Sequence, residues 1–218
     1  DLIGLETSMQ TRYRSGVGML LYLVKFSRPD ISNSVRELSK VMDKATESHY
    51  RSLLRTIKYV LTTQNLSLFY DSGKMISFKG IWKIIAFCDS DYAGDADTRI
   101  SVTGFCIFIG GCLISWKSRG QKSVTLSSTE AEYVAVSEVC TEIIFIKQIL
   151  EFLEIHIKFP ITVHCDNVGA IFLAYNAKNS QRTKHVDIRA HYVRQYVEDG
   201  TVKIIFVKSK NNAADSYT

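Results

Sequence analysis

The stretch IIAFCD, residues 84–89, decides the fold of this sequence, because five apolar residues in succession end on a carboxylate. A short apolar run of this kind is typical of a buried strand. Two further runs, residues 102–109 and 112–116, flank Gly110-Gly111, and this arrangement predicts a hairpin with a two-residue turn. We therefore expect a sheet to begin at residue 84.

Helices and strands alternate after this hairpin. The pattern predicts a long helix from Ser127 to about Leu153 and a buried strand over residues 161–165. Two helices follow over 167–175 and 181–198, then a strand over 201–207 and a final helix capped by Asn211 or Asn212. This order predicts an α/β fold with a mixed sheet of five strands and flanking helices.

The N-terminal part has a different pattern. Residues 13–63 are helical by periodicity, and Ser27-Arg28-Pro29-Asp30 separates the first helix from the second. The third helix begins near Ser48, and its cations Arg51, Arg55 and Lys58 form either a solvated face or a stripe that faces phosphates. Residues 66–70 read as a short strand. We therefore divide the chain into a helical segment, 1–80, and an α/β domain, 81–218.

Composition and charge narrow the function classes. Lys and Arg number 27 against 22 Asp and Glu, so the net charge of +5 permits an anionic partner without proving one. No run approaches the roughly 18 apolar residues of a membrane span, so we expect no membrane insertion. The five cysteines form no C-x-x-C pair and lie in apolar contexts, which indicates reduced, buried thiols in an intracellular protein.

Two carboxylates directly follow predicted buried strands. Asp89 ends the first strand and Asp166 ends the fourth, and the carboxyl ends of strands are where open α/β sheets place their ligand sites. A single aspartate at such a position could simply cap a turn. Two of them at matching strand ends favour a functional site.

The long helix carries a third candidate. Glu130 completes a capping box with Ser127. The residues that follow Glu130 at steps of four along the same side of the helix include Glu138 and Glu142, so this row of residues is expected to face solvent. Glu132 instead begins the apolar row that must pack on the sheet. A buried acid needs a cationic partner, so Glu132 is predicted to be a ligand.

Asp215 is the fourth candidate, in the first turn of the expected final helix. Only Ala213, Ala214 and Tyr217 offer apolar surface to hold this turn, which is close to Thr218, so we expect Asp215 to be held more loosely than the others. Four clustered carboxylates repel one another unless divalent cations neutralise them, and oxygen ligands suit Mg²⁺ or Mn²⁺. Two such ions can hold the attacking water and the leaving oxygen of a phosphodiester in line.

Linked motifs in fixed order carry a family resemblance. Upstream, YRSGVG (13–18), LYL (21–23) and RPDI (28–31) resemble the segment that follows the polymerase palm in copia-type retrotransposon polyproteins. Further stretches, downstream of these, resemble the ribonuclease H domain of the same polyproteins. They are FCDSDYAGD (87–95), TGF (103–105), ISWKS (114–118) with Gln121, LSSTEAEY (126–133), CDN (165–167), RTKHVDIR (182–189) and NAAD (212–215).

The resemblance implies a ribonuclease H-like fold preceded by a thumb- or connection-like helical segment. It implies an endonuclease that hydrolyses the RNA strand of RNA–DNA hybrids with two Mg²⁺ ions, for which Mn²⁺ could substitute. The family's metal-binding carboxylates carry over onto Asp89, Glu132, Asp166 and Asp215. The implied partners are the hybrid and the rest of the polyprotein, including its polymerase domain. The implied location is the cytoplasm, within a virus-like particle if the element is intact.

Positive charge concentrates after Asp166 and is either a solvated basic helix or a phosphate contact. The residues concerned are Lys178, Arg182, Lys184, His185, Arg189 and Arg194, with Tyr192 and Tyr196 interleaved. A second function class stays open, namely a catalytically inactive retrotransposon fragment that serves as a nucleic-acid-binding or structural tether. The intact set of four carboxylates favours the nuclease.

Overall fold

A computed structural model describes residues 3–71, 80–95, 98–176 and 184–218, without the side chains of 184–188 and 190. The chain forms two compact units, Asp1–Phe69 and Tyr70–Thr218. None of the described helices combines the length and the hydropathy that crossing a bilayer requires.

The first unit is helical. Its helices are α1 (Thr7–Phe26), α2 (Ser32–Lys40) and α3 (Glu47–Thr62), with a 3₁₀ turn at Pro29–Ile31. The core contains Tyr13 and Val17 of α1, Val35 of α2 and Leu53 of α3. The predicted strand at residues 66–70 is wrong. This segment has no strand partner among the described residues, and its apolar side chains are largely exposed.

The break between α1 and α2 is held by a buried arginine. Arg28 is 5% exposed, and its guanidinium donates to both carboxylate oxygens of Asp30, at 2.9 and 2.8 Å. Arg28 also donates to the Thr63 hydroxyl at 2.7 Å, just after α3. The Arg-Pro-Asp sequence thus joins the start of α2 to the end of α3.

The second unit is built on five strands, β2 (Ile84–Asp91), β3 (Val102–Ile109), β4 (Cys112–Gly120), β6 (Ile161–Cys165) and β7 (Val202–Phe206). Their order in the sheet is β4-β3-β2-β6-β7. The hairpin pairs are antiparallel, whereas β2–β6 and β6–β7 are parallel. The predicted α/β class with a mixed five-stranded sheet and flanking helices is confirmed.

Three helices contribute to the core on one face of this sheet. They are α4 (Ser128–Phe152), α5 (Val168–Tyr175) and α6 (Lys184–Glu198). A separate small cluster on β3 contains Cys106 with Ala214 and Tyr217 from the end of the chain. All five cysteines are unpaired and buried, as predicted.

Two short features depart from the predicted element order. The strands β1 (Ile81–Trp82) and β5 (His156–Ile157) form a separate parallel pair that the sequence pattern does not reveal. Two-residue strands are too short to show an alternation of apolar and polar residues. The predicted final helix is instead a pair of 3₁₀ turns, Ser209–Asn211 and Asp215–Tyr217.

Candidate active site

The four predicted carboxylates come from four different parts of the second unit. Asp89 lies on β2, Glu132 in the second turn of α4, Asp166 directly after β6, and Asp215 at the start of the last 3₁₀ turn. The prediction that Asp89 follows its strand is wrong. Antiparallel pairing with β3 continues to Asp91, and it places Asp89 opposite Gly104, inside the strand.

Glu132 is buried at the interface between α4 and the sheet, with 6% of its surface exposed. Its Oε1 accepts hydrogen bonds from the backbone N–H and from the hydroxyl of Ser90, each at 3.0 Å. Its Oε2 faces the thiol of Cys165 at 3.9 Å. Burial and the charges of Asp89 and Asp166 raise the pKa of Glu132 to about 8, which the hydrogen bonds from Ser90 offset only in part.

Asp89 is also buried, at 8% exposure, and both of its carboxylate oxygens accept hydrogen bonds. The Thr218 hydroxyl donates to Oδ2 at 2.5 Å, and the Asn212 amide donates to Oδ1 at 3.3 Å. Burial raises the pKa of Asp89, the bond from Thr218 opposes that rise, and the charges of Asp166 and Asp215 add to it. The charges of both other aspartates therefore act on Asp89.

Asp166 is half-buried and lies beside Glu132. One carboxylate oxygen of each residue and the sulfur of Cys165 all lie within 4.8 Å of one another. The parallel pairing of β6 with β2 brings Asp166 to the same end of the sheet as Asp89. The strand of Asp89 itself extends two residues further, to Asp91.

The turn that carries Asp215 packs closely on β3. A Cβ atom at Gly104 would lie 2.8 Å from Thr218 Cγ2, 2.9 Å from Tyr217 Cβ and 3.0 Å from the Ala214 carbonyl oxygen. A glycine is therefore needed where the turn approaches. Ala214 and Tyr217 are the residues that hold the turn, since both are buried. The side chain of Asp215 itself is exposed.

Glu130 and Glu132, both near the start of α4, have different environments, as predicted. The Ser127 hydroxyl accepts from the Glu130 N–H at 3.2 Å, and Glu130 Oε2 accepts from the Leu126 N–H at 2.7 Å. Glu130 therefore caps the helix. The residues of the apolar row that Glu132 begins are all buried, namely Ala135, Val136, Val139 and Ile143.

The rest of the Glu130 row does not face solvent, contrary to expectation. Glu138 forms an ion pair with Lys117 of β4 at 3.5 Å, and Glu142 accepts a hydrogen bond from the Ser115 hydroxyl at 2.9 Å. Val134 in the same row is buried. The row lies against β4, which supplies polar partners for its carboxylates.

The donor set of this site suits a hard divalent cation. The carboxylates of Glu132 and Asp166 lie within 4.8 Å of each other, the charge of Asp89 raises the pKa of Glu132, and the described part of the chain shows no Lys or Arg ion pair to them. Buried negative charge without a cationic partner is costly, and oxygen ligands are those that Mg²⁺ and Mn²⁺ prefer. The residues present therefore fit a magnesium or manganese site.

The predicted nucleic-acid contacts lie mainly beyond what the structure describes. Lys178 and Arg182 fall outside the described residues, as do the side chains of Lys184 and His185. Arg189 is half-buried on α6. Arg194 donates through Nε to the Leu173 carbonyl of α5 at 3.2 Å. The interleaved tyrosines, Tyr192 and Tyr196, contact each other at a ring distance of 5.0 Å and pack on the core.

Sequence reasoning misses several residues that hold the carboxylates. It does not single out Ser90 or Thr218, and it assigns Asn212 only to a helix cap. The Asn212 side chain does accept from the Ala214 N–H at 3.1 Å, but it also donates to the Cys88 carbonyl at 2.9 Å. The signal for two of these residues is the motif itself, since Ser90 and Asn212 lie within three residues of a carboxylate in FCDSDYAGD and NAAD.

Comparison with solved structures gives a partial likeness. The ribonuclease H1 LC11, isolated from compost by a metagenomic approach, is 16% identical with a TM-score of 0.44, over 62% of this chain and 91% of that one. The same protein in complex with an RNA/DNA hybrid is 13% identical with a TM-score of 0.39, over 62% of this chain and 93% of that one.

Comparison of the sequence with curated proteins gives much closer relatives, although no family model matches it. The chain is 38% identical over 215 residues to the retrovirus-related Pol polyprotein from transposon RE1 of Arabidopsis thaliana. It is 36% identical over 207 residues to that from transposon TNT 1-94 of Nicotiana tabacum. These alignments cover 99% and 94% of the chain but 14% and 15% of the polyproteins. The chain is therefore homologous to a small part of the retrovirus-related Pol polyproteins of retrotransposons.

Proposed function

We propose that this chain is a ribonuclease H that hydrolyses the RNA strand of RNA–DNA hybrids during reverse transcription of a retrotransposon. The observation that carries the proposal is the buried carboxylate of Glu132, which lies within 4.8 Å of that of Asp166 and whose pKa is raised to about 8 by burial and by the charges of Asp89 and Asp166. A carboxylate held in this state has a strong tendency to bind a cation. The homology to Pol polyproteins supports a role in reverse transcription.

In this proposal Asp89, Glu132, Asp166 and Asp215 hold two Mg²⁺ ions, or Mn²⁺ in their place. When bound, such ions supply a nucleophilic water and charge stabilisation for an in-line displacement at phosphorus. Ser90 holds Glu132 through two hydrogen bonds, and Asn212 and Thr218 hold Asp89. These bonds fix the direction of each carboxylate before a cation arrives. The exposed side chain of Asp215 lies on the solvent side, where a phosphodiester would approach.

The substrate contacts belong to the same proposal. Lys178, Arg182, Lys184, His185 and Arg189 would neutralise phosphates of the hybrid and position it without reading its sequence. Arg194 is proposed with them, although its Nε bond to α5 leaves only its terminal nitrogens for a phosphate. The rest of the polyprotein, including the polymerase, is the proposed protein partner.

The proposed location is the cytoplasm, within a virus-like particle if the element is intact. Five unpaired, buried cysteines support a reducing compartment. The helical segment, residues 1–80, is proposed as a thumb- or connection-like unit between polymerase and nuclease.

The test is a cleavage assay on an RNA–DNA hybrid labelled on either strand, with Mg²⁺ and with EDTA. We expect the RNA strand alone to be cut, only with Mg²⁺, and duplex DNA to stay intact. Asp89→Asn should lower the rate by about 10²-fold or more while the chain stays folded, because a ligand loses its charge.

Glu130→Gln is the matched control for Glu132→Gln, since both change one glutamate of α4 to its amide. The control should retain most activity, because Glu130 caps the helix start. Wild-type chain that binds hybrid but never cuts it would favour the inactive tether. Full activity in Asp89→Asn would refute the assignment of the site.

A further inference from the structure

Gln121 is a buried amide between the end of β4 and the start of α4, with 3% of its surface exposed. Its Nε2 donates to the Thr103 hydroxyl at 3.1 Å and to the Ala131 carbonyl at 2.9 Å. Its backbone N–H donates to the Ser101 carbonyl at 2.8 Å. One side chain thus joins strand β3 to the first turn of α4.

Both acceptors of this amide are next to residues of the candidate site. Ala131 immediately precedes Glu132 in α4. Thr103 immediately precedes Gly104, which pairs with Asp89 across the sheet. Because Nε2 bonds both acceptors at short distance, it fixes the separation of α4 from the sheet where Glu132 faces Asp89.

The bonds from Ser90 hold the Glu132 side chain on β2, whereas Gln121 joins the backbone of α4 to β3. The Ser127 hydroxyl and the Glu130 carboxylate bond to backbone N–H groups of the helix or of the residue just before it. Such bonds stabilise the helix but do not fix its distance from β3. At pH values where both Glu132 and Asp89 are ionised, their like charges favour a wider separation of the helix from the sheet.

We propose that Gln121 is a positioning residue, which holds Glu132 at the separation from Asp89 that a divalent cation requires. The proposal rests on the proposed function for the identity of the cation. Gln121 touches neither carboxylate, and it acts through Ala131 and Thr103. Residues that hydrogen-bond directly to metal ligands commonly change metal affinity by about 10–100-fold when they are lost, and Gln121 acts one residue further away, so we expect the lower end of that range.

The experiment measures Mn²⁺ binding to the full chain without nucleic acid, from the electron paramagnetic resonance signal of free Mn²⁺. Gln121→Met keeps the length of the side chain and removes both N–H donors. Thr125→Val is the matched control, because it removes the buried 2.8 Å hydrogen bond between Ser101 and Thr125, which does not reach α4. Urea unfolding in EDTA measures the stability of each variant.

We expect both variants to lose stability and only Gln121→Met to bind Mn²⁺ about 10-fold or more weakly. The Mg²⁺ concentration for half-maximal hybrid cleavage should rise in parallel, and excess Mg²⁺ should restore the rate. If Gln121→Met does not fold, Thr103→Val tests the proposal in its place. It keeps the bond to Ala131, frees the amide from β3, and should weaken Mn²⁺ binding about 3-fold or more.

If a folded Gln121→Met chain binds Mn²⁺ as tightly as the wild type, the hydrogen bonds of Gln121 serve only stability, and the proposal is overturned. Equal weakening in Thr125→Val would also overturn it, because general destabilisation would then explain the effect. A wild-type chain that binds Mn²⁺ but cuts no hybrid would refute the proposed function alone and leave the positioning role intact.

Discussion

Replacing Glu132 with glutamine should make the metal-free chain more stable at alkaline pH. The folded-state pKa of Glu132, about 8, lies above its ordinary value of 4.5. Stability from the protonated form is therefore fully present below about pH 4.5 and is lost as the pH rises through about 8. Glutamine is neutral at every pH, and its carbonyl can still accept from Ser90.

The size of the effect follows from the interval between the two pKa values. At roughly 1.4 kcal/mol per pH unit, the interval corresponds to about 5 kcal/mol as a ceiling. Relaxation of the site and water entry reduce this value, so we expect about 2–3 kcal/mol. In EDTA, the free energy of unfolding of Glu132→Gln should therefore rise relative to that of the wild type by this amount as the pH increases from about 5 to about 9.

Urea unfolding at a series of pH values, with and without Mg²⁺, measures the difference. Saturating Mg²⁺ should reduce or reverse it, because a bound cation stabilises the ionised carboxylate of the wild type. Glu130→Gln is the control, with a pH-independent cost of about 1 kcal/mol or less. Parallel pH profiles for wild type and Glu132→Gln in EDTA would refute the claim that the buried charge is only partly compensated.

Three further changes test other parts of the chain. Gly104→Ala should lower the free energy of unfolding by about 1–3 kcal/mol in a urea titration and reduce the cleavage rate, because the added Cβ would clash with the turn that carries Asp215. Wild-type stability and cleavage would show that the turn can move aside. Arg28→Met should lower the unfolding free energy of the helical unit by about 2–3 kcal/mol in a urea titration, because Asp30 and Thr63 lose a buried hydrogen-bond donor. A smaller loss would mean that water takes the place of the guanidinium. Neutralising the basic residues at 182, 184 and 189 together should flatten the salt dependence of hybrid binding by up to about 0.9 for each phosphate that is no longer neutralised, whereas an unchanged slope would identify a solvated face.

The parts of the site that depend on local periodicity can be predicted from the sequence. Glu132 is distinguished from Glu130 because a helix of period 3.6 has only one face that packs on the sheet. The structure buries Glu132 and leaves Glu130 as a cap, as that argument requires. Asp166 directly follows its strand for a similarly local reason, since an apolar run ends there.

The parts that depend on distant partners cannot be predicted in this way. The strand of Asp89 continues because β3 pairs with it, and a polar residue gives no sign of such a partner. Glu138 and Glu142 read as solvent-facing, whereas Lys117 and Ser115 of β4 bond to them. Local pattern shows which side chains are polar, and only the assembled sheet shows what lies opposite them.

The hydrogen bonds between Asp89 and the end of the chain bear on how this unit folds. Asn212 and Thr218 lie 123 and 129 residues from Asp89 along the chain. The hairpin of β2 and β3 can form early, because little chain entropy is lost in closing a short loop. Closure over more than a hundred residues is slower. We therefore expect the sheet to precede the carboxylate cluster in refolding, so that protection of the β2–β3 amides from hydrogen exchange appears before divalent cations bind.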